Sequence, residues 1–321
     1  MIQNRYVRLS LLLGGLPLLF AGWGYFLRGT VPWDTVPSSL HPVVSSGHGV
    51  KGIDVRERRD SQCASAYEAF YRPRVLEFYV VFGYKDARPA RLVGDRYEKA
   101  AFIESLTKAC PRGFHACGFR RSSADPSLLI KEIQGPEMAM RRIHLRVIHS
   151  SVGPDDEINR QNPFQKWQSK HAELKFAEGL KTADAVFYYG HSRDGGGPDF
   201  EPPKLRADGH PHYWWYEHQK PGLKELVRNL KLDENRPKIL GLFSCVSTDL
   251  FEAEISKAQP KLALITSSEL LYYIHALKSM LGALSSLLGM SCQSEFENAI
   301  QTGATREIST KLKGFFQTKT N

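Results

Sequence analysis

A chain of 321 residues, 42% hydrophobic, 24% charged and 11% aromatic, has the make-up of a folded protein with one large or two modest cores. No internal repeat or low-complexity tract interrupts it, which excludes repeat and fibrous architectures. Lys and Arg outnumber Asp and Glu by 43 to 34, but they are scattered among acidic residues and are dense only at RERR (56–59) and FRR (119–121). That pattern is a solvated surface, and no nucleic-acid partner is expected.

The first element is Leu9 to Leu27, 19 residues without a charge, close to the ~20 that cross a bilayer. Arg5 and Arg8 precede it, and Trp23 and Tyr25 mark its far end. The positive-inside tendency predicts an N-terminal transmembrane helix over 1–28, with the body periplasmic or at the cell surface. The alternative is a cleaved signal peptide, which would make the body secreted; no clean small-residue cleavage site follows the run. Pro32, Pro37 and Pro42 with several Ser and Gly mark 29–60 as a linker.

An exported chain with five cysteines raises the question of which thiol stays free. Cys110 and Cys117 flank a short loop and are placed to pair locally. With Cys245 set aside, that leaves Cys63 with Cys292. The alternative is that all five are reduced or simply buried.

Further on, RVLEFYVVFGY (74–84) predicts a strand, and a helix follows around 96–109. Residues 61–139 are expected to form an N-terminal extension on the core, adding strands or a small subdomain to an α/β domain spanning 140–321. Within that domain, Ile143, Leu145 and Val147 alternate with basic residues, the period of a strand with one wetter face. An amphipathic helix over 164–180 precedes an apolar strand at 184–190. Another helix (222–232) precedes a buried strand, PKILGLFSC (237–245). TDLFEAEISKA (248–258) begins with helix-start residues, KLALITSS (261–268) is a fourth strand, and apolar residues from Ile274 to Leu288 recur at helical spacing. Lys278 and the serines in that last segment argue for a core helix over a second membrane span. The alternation predicts an α/β fold with a mainly parallel sheet flanked by helices.

Ligands bind beyond the carboxyl ends of such strands. The strand AVFYYG ends in His191, and ILGLFS ends in Cys245. A thiol is a nucleophile only as thiolate, and an imidazole can hold its proton and return it to a leaving amine. Either residue alone is more often a buried packing residue, but the pair at matching strand ends is a candidate site.

This pattern, an apolar strand then His and a later apolar strand then Cys about fifty residues on, resembles the caspase-like cysteine peptidases. That group includes caspases, legumains, gingipains and separases, and the resemblance covers about residues 140–290. It implies a caspase-haemoglobinase-like fold, Cys245 as nucleophile, His191 as acid/base, and an oxyanion hole from the backbone N–H groups of Ser192 and Cys245. The implied activity is endopeptidase cleavage of a peptide or protein partner through an acyl-enzyme, with no metal or organic cofactor. Ser192 stands where the group has glycine, and Phe243-Ser244 where caspases have Gln-Ala, so caspase specificity is not implied. ITSSEL, with Ser267, Ser268 and Glu269, falls where the group builds part of its specificity pocket. The alternative is a non-catalytic peptide- or protein-binding module on the same fold in the cell envelope.

Around the pair, RDGGGPDF lacks the residues of a phosphate loop and is expected to form a mobile rim for a substrate backbone. Asp194, Asp199, Asp249 and Glu269 are candidates to attract a basic side chain. GHPHYWWYEHQKP contains H-x-H and a third histidine without a convincing metal-ligand set. Tyr213, Trp214, Trp215 and Tyr216 there are expected to form an aromatic rim able to hold an extended peptide, with Trp214 and Trp215 as the candidate contacts.

Overall fold

The computed structural model describes residues 61–85, 94–153, 156–232, 237–271, 273–301 and 310–314. The expected membrane segment and linker, residues 1–60, lie outside the described residues. Among the described residues, no helix is long and apolar enough to cross a membrane.

A helix, α1 (Ser61–Phe70), leads into strand β1 (Val75–Phe82). Helix α2 (Asp95–Thr107) and the short strand β2 (Arg120–Arg121) come next, followed by β3 (Leu128–Gln134) and β4 (Met140–His149). After α3 (Asp156–Gln161) and α4 (Gln165–Thr182) comes β5 (Ala185–Tyr189). Helices α5 (Tyr213–Gln219) and α6 (Pro221–Asn229) connect it to β6 (Ile239–Phe243). The chain continues through α7 (Ser247–Ala258), β7 (Ala263–Ser267), α8 (Tyr273–Gly289), α9 (Gln293–Ile300) and β8 (Thr310–Lys313).

These strands form one sheet in the order β2-β3-β4-β1-β5-β6-β7-β8. Neighbours from β4 through β7 pair in parallel, while β2–β3, β3–β4 and β7–β8 pair antiparallel. The fold is therefore α/β with a mostly parallel sheet. β5, β6 and β7 are buried along their whole length and β1 nearly so, because both of their faces are covered, whereas β4 keeps the apolar–basic alternation of a strand with one wetter face. On one face Tyr79, Val81, Val186, Tyr188, Leu240 and Leu242 join Phe176 of α4, Leu226 of α6 and Phe251 of α7 in one buried cluster. On the other, Phe82 packs its edge on Phe102 of α2, and α8 lies against β5 and β6. Leu277, Leu281, Leu284 and Leu288 of α8 are buried, as a core helix requires. Each such side chain taken out of water contributes roughly 1.5–3 kcal/mol.

β1 lies between β4 and β5. The region 61–139 thus supplies a central strand of the same sheet, and the boundary expected at 139/140 falls inside one hydrogen-bonded structure. This order also puts the reversal of winding between β1 and β5: the chain moves outward from β1 to β4, then returns to build β5, β6 and β7. Crevices at such reversals, outside the strand carboxyl ends, are where α/β sheets hold ligands.

Two disulfides close the structure, Cys63–Cys292 and Cys110–Cys117. Cys245 is the free cysteine of the five.

Candidate functional site

His191 and Cys245 follow neighbouring parallel strands in step. Tyr189 pairs with Phe243 in the β5–β6 ladder, and the Gly190 N–H donates to the Phe243 carbonyl at 3.4 Å. The two residues beyond each pair are therefore His191 and Cys245. Both are half-buried, and both line a cleft of about 290 Å³ together with Ser192, Arg193, Asp194 and Tyr213.

Local packing sets the imidazole end. The Tyr188 hydroxyl donates to the His191 carbonyl at 2.9 Å and accepts from the Asp199 N–H at 3.0 Å. That hydroxyl sits against Gly83 and Gly190, where any Cβ would overlap it. Glycine before the histidine is thus a close-approach requirement, which the sequence offers as YGH.

The loop after His191 corrects one expectation. Arg193, Asp194 and Gly195 have φ of 48°, 53° and 89°, a run of left-handed backbone. Arg193 is buried, and its Nε donates to Asp199 Oδ2 at 2.9 Å. Gly195 to Pro198 are buried too, and the Leu223 N–H of α6 donates to the Gly196 carbonyl at 3.0 Å. The glycines serve this tight packing rather than a mobile rim. Asp194 is carried outward and stays exposed at the cleft.

At the sulfur end, strand β6 turns through Ser244, Cys245 and Val246 straight into α7. Val246 has φ 51°, a conformation in which a β-branched side chain is a genuine outlier. The strain is held by neighbours: the Val246 N–H donates to the Glu269 carbonyl at 2.8 Å. Ser247 Oγ donates to the Leu242 carbonyl at 2.9 Å and accepts from the Ser267 N–H at 2.8 Å. The Cys245 thiol lies 3.7 Å from the Leu271 carbonyl. Strand-to-helix turns of this kind present a reactive side chain outward, and backbone strain of about 1–3 kcal/mol persists only where surroundings over-determine it. Val246→Gly is accordingly expected to raise stability by roughly 1 kcal/mol. The urea midpoint measures this, and an unchanged or lower midpoint would show that the turn stores no strain.

Among the described residues, neither the Ser192 nor the Cys245 N–H donates to a protein acceptor, which leaves both available to an incoming oxygen. Beside Cys245, the Ser244 hydroxyl is also buried without a hydrogen-bond partner.

The other residues singled out from sequence divide. Ser267 is buried, and its hydroxyl caps its own turn by bonding the Glu269 backbone. Ser268 and Glu269 belong to that turn, which buttresses Cys245 without lining the cleft. Asp249 is exposed in the first turn of α7, and Asp199 is committed to Arg193. The aromatic segment forms α5, with His212 Nδ1 accepting from the Trp215 N–H at its start. Trp214 stacks on His218 with ring centres 4.2 Å apart, outside the cleft. Trp215 lies under the Lys204 ammonium and lines a different, larger cleft of about 670 Å³ with α4 and α6. Of the aromatic cluster expected to flank the cleft, the side chain that lines it is Tyr213 rather than Trp214 or Trp215. Among the described residues, no group of three His, Cys, Asp or Glu side chains is arranged to hold a metal ion.

No family model matches the chain, and no curated protein matches it.

Proposed function

We propose that this chain is a cysteine endopeptidase of caspase-like type, with Cys245 as nucleophile and His191 as general acid and base. One observation carries the reading: the free thiol and an imidazole follow adjacent parallel strands and line one cleft with Ser192. In the first step the thiol proton passes to His191 and sulfur attacks the peptide carbonyl carbon. The developing oxyanion accepts from the N–H groups of Ser192 and Cys245. Collapse breaks the C–N bond, and His191 gives its proton to the departing amine. A water molecule, deprotonated by His191, then cleaves the thioester and releases the acid. This chemistry calls for no metal or organic cofactor.

The same reading makes the N-terminal segment a membrane anchor with the body outside the cytoplasm. Its uncharged run supports this, as do two disulfides that suit an oxidising compartment. The substrate is then a peptide or protein of the cell envelope.

A thiol-directed peptide probe tests the proposal. It should label Cys245 in the full chain, and His191→Ala should slow labelling at neutral pH by roughly tenfold or more. Equal labelling of both proteins, with no cleavage across a peptide library, would replace the peptidase reading with that of a binding module.

A further inference from the structure

The sequence offers four carboxylates near the dyad, and the structure leaves one of them in the cleft. Asp199 holds the buried Arg193, its Oδ2 2.9 Å from Nε. Asp249 lies in the first turn of α7 and Glu269 in the turn after β7, and neither lines the cleft. Asp194 does line it, three residues beyond His191, and stays exposed to solvent. Cations near these strand ends are already paired, Arg193 with Asp199 and the buried Lys85 with Glu98 at 3.0 Å. Among the described residues, no hydrogen bond or ion pair engages the Asp194 side chain.

Asp194 is also fixed in place. Arg193 before it is only 3% exposed, and Gly195 and Gly196 after it are buried, with the Gly196 carbonyl bonded to the Leu223 N–H of α6. Left-handed backbone at Arg193 and Asp194 turns the carboxylate outward between these two anchored neighbours. A group held in this way loses little freedom when it binds. The same cleft contains Tyr213 from the start of α5, 49% exposed. A volume of about 290 Å³ is at the lower end for ligand pockets, and seats one residue rather than an extended segment. Cys245 and Ser192 line that space as well, so the seated residue is one that flanks the bond to be cut.

An uncompensated carboxylate beside an aromatic face calls for a side chain with an apolar stem and a cationic head. Guanidinium matches the pair better than ammonium does, because it stacks on aromatic rings and meets a carboxylate through two N–H groups. We propose that Asp194 sets the substrate preference of this cleft, selecting peptides that carry arginine, and less strongly lysine, beside the scissile bond. The inference rests on the peptidase reading, since it assigns that residue to the bond that Cys245 attacks.

The test compares hydrolysis by the full chain of four peptides that differ only at that residue. These carry Arg, Lys, Glu or citrulline, which keeps the shape of arginine without its charge. The kcat/KM for the Arg peptide should exceed that for the citrulline peptide by roughly fivefold, the size an exposed ion pair supports. This ratio should shrink in about 1 M salt, where the screening length is about 3 Å. Asp194→Asn should bring the ratio close to one, and Asp194→Lys should turn the preference towards Glu. A general disturbance of the loop would lower all four rates alike and leave the ratio standing. An Arg-to-citrulline ratio that survives Asp194→Asn, or equal rates for the two peptides in the unaltered chain, overturns the inference. Failure of the peptidase reading is distinguishable, because no peptide is then cut. Fluorescence anisotropy of the same peptides on the Cys245→Ala chain reads the preference without hydrolysis. Arg-selective binding that is lost in Cys245→Ala/Asp194→Asn upholds the role of Asp194 in a binding cleft, and absent or unselective binding overturns it.

Discussion

Cys245→Ala and His191→Ala are each expected to lower kcat/KM for peptide cleavage by at least about a thousandfold. The double variant should be scarcely worse than either alone, because the proposed nucleophile and base would act on one proton. This near-complete non-additivity is more diagnostic than either loss. Two residues that merely shaped a binding cleft would give smaller losses that add. Steady-state kinetics with full-length protein and one cleavable peptide measure all three values. Cleavage surviving Cys245→Ala would remove sulfur from the chemistry altogether. A protein whose peptide affinity stays intact in all variants, with no turnover in any, is a binding module.

The elements legible in the sequence were those whose pattern is local. AVFYY and ILGLF are apolar runs of strand length, and they became β5 and β6 in the parallel centre of the sheet. LKELVRNL places Leu223, Leu226 and Leu230 on one face, and those leucines are buried. What stayed hidden depended on partners far along the chain. β2 has two residues and is defined only by β3, while β8 has four and is defined by β7. YWWYEHQ contains residues of modest helix propensity, and its start is capped by a histidine ring rather than by Ser, Thr, Asp or Asn, so α5 gave no helical signal.

The site divides in the same way. His191 and Cys245 could be singled out because each ends an apolar run, and parallel pairing then fixed their step. The aromatic cluster at 213–216 was legible, but that Tyr213 rather than Trp214 or Trp215 lines the cleft depends on how α5 folds back, which no periodicity records. The environment of Lys85 was invisible for a stronger reason. A lysine after a strand is ordinarily solvated, and only the approach of Glu98 from α2 and Tyr189 from β5 makes this one buried. The RDGGGPDF loop misled because glycine signals both looseness and tight packing; here the buried Arg193–Asp199 pair decides for packing.

Removing the Cys63–Cys292 bridge, which joins a buried and a half-buried cysteine, should cost more stability than removing Cys110–Cys117, which joins an exposed cysteine to a buried one. The bridges span sequence separations of 229 and 7. Loop-closure entropy in the unfolded chain then gives about 5 kcal/mol for the long bridge and about 2–3 kcal/mol for the short one. The native state adds to this difference. Cys292 is the N-cap of α9, and α1 is fastened to the same region by Tyr67, whose hydroxyl donates to the Ser291 carbonyl at 2.7 Å. Tyr71 repeats that bond to the Leu287 carbonyl of α8 at 2.8 Å. Urea midpoints of Cys63→Ala/Cys292→Ala and Cys110→Ala/Cys117→Ala test the ranking, and alanine in both pairs avoids leaving a lone thiol to exchange. If the short-bridge variant proves the less stable, unfolded-state entropy does not govern this chain, and strain or residual structure around Cys117 must. The ranking also bears on the site, because α8 packs on β5 and β6, whose ends position His191 and Cys245. Loosening α1 from α8 should therefore lower cleavage and stability together.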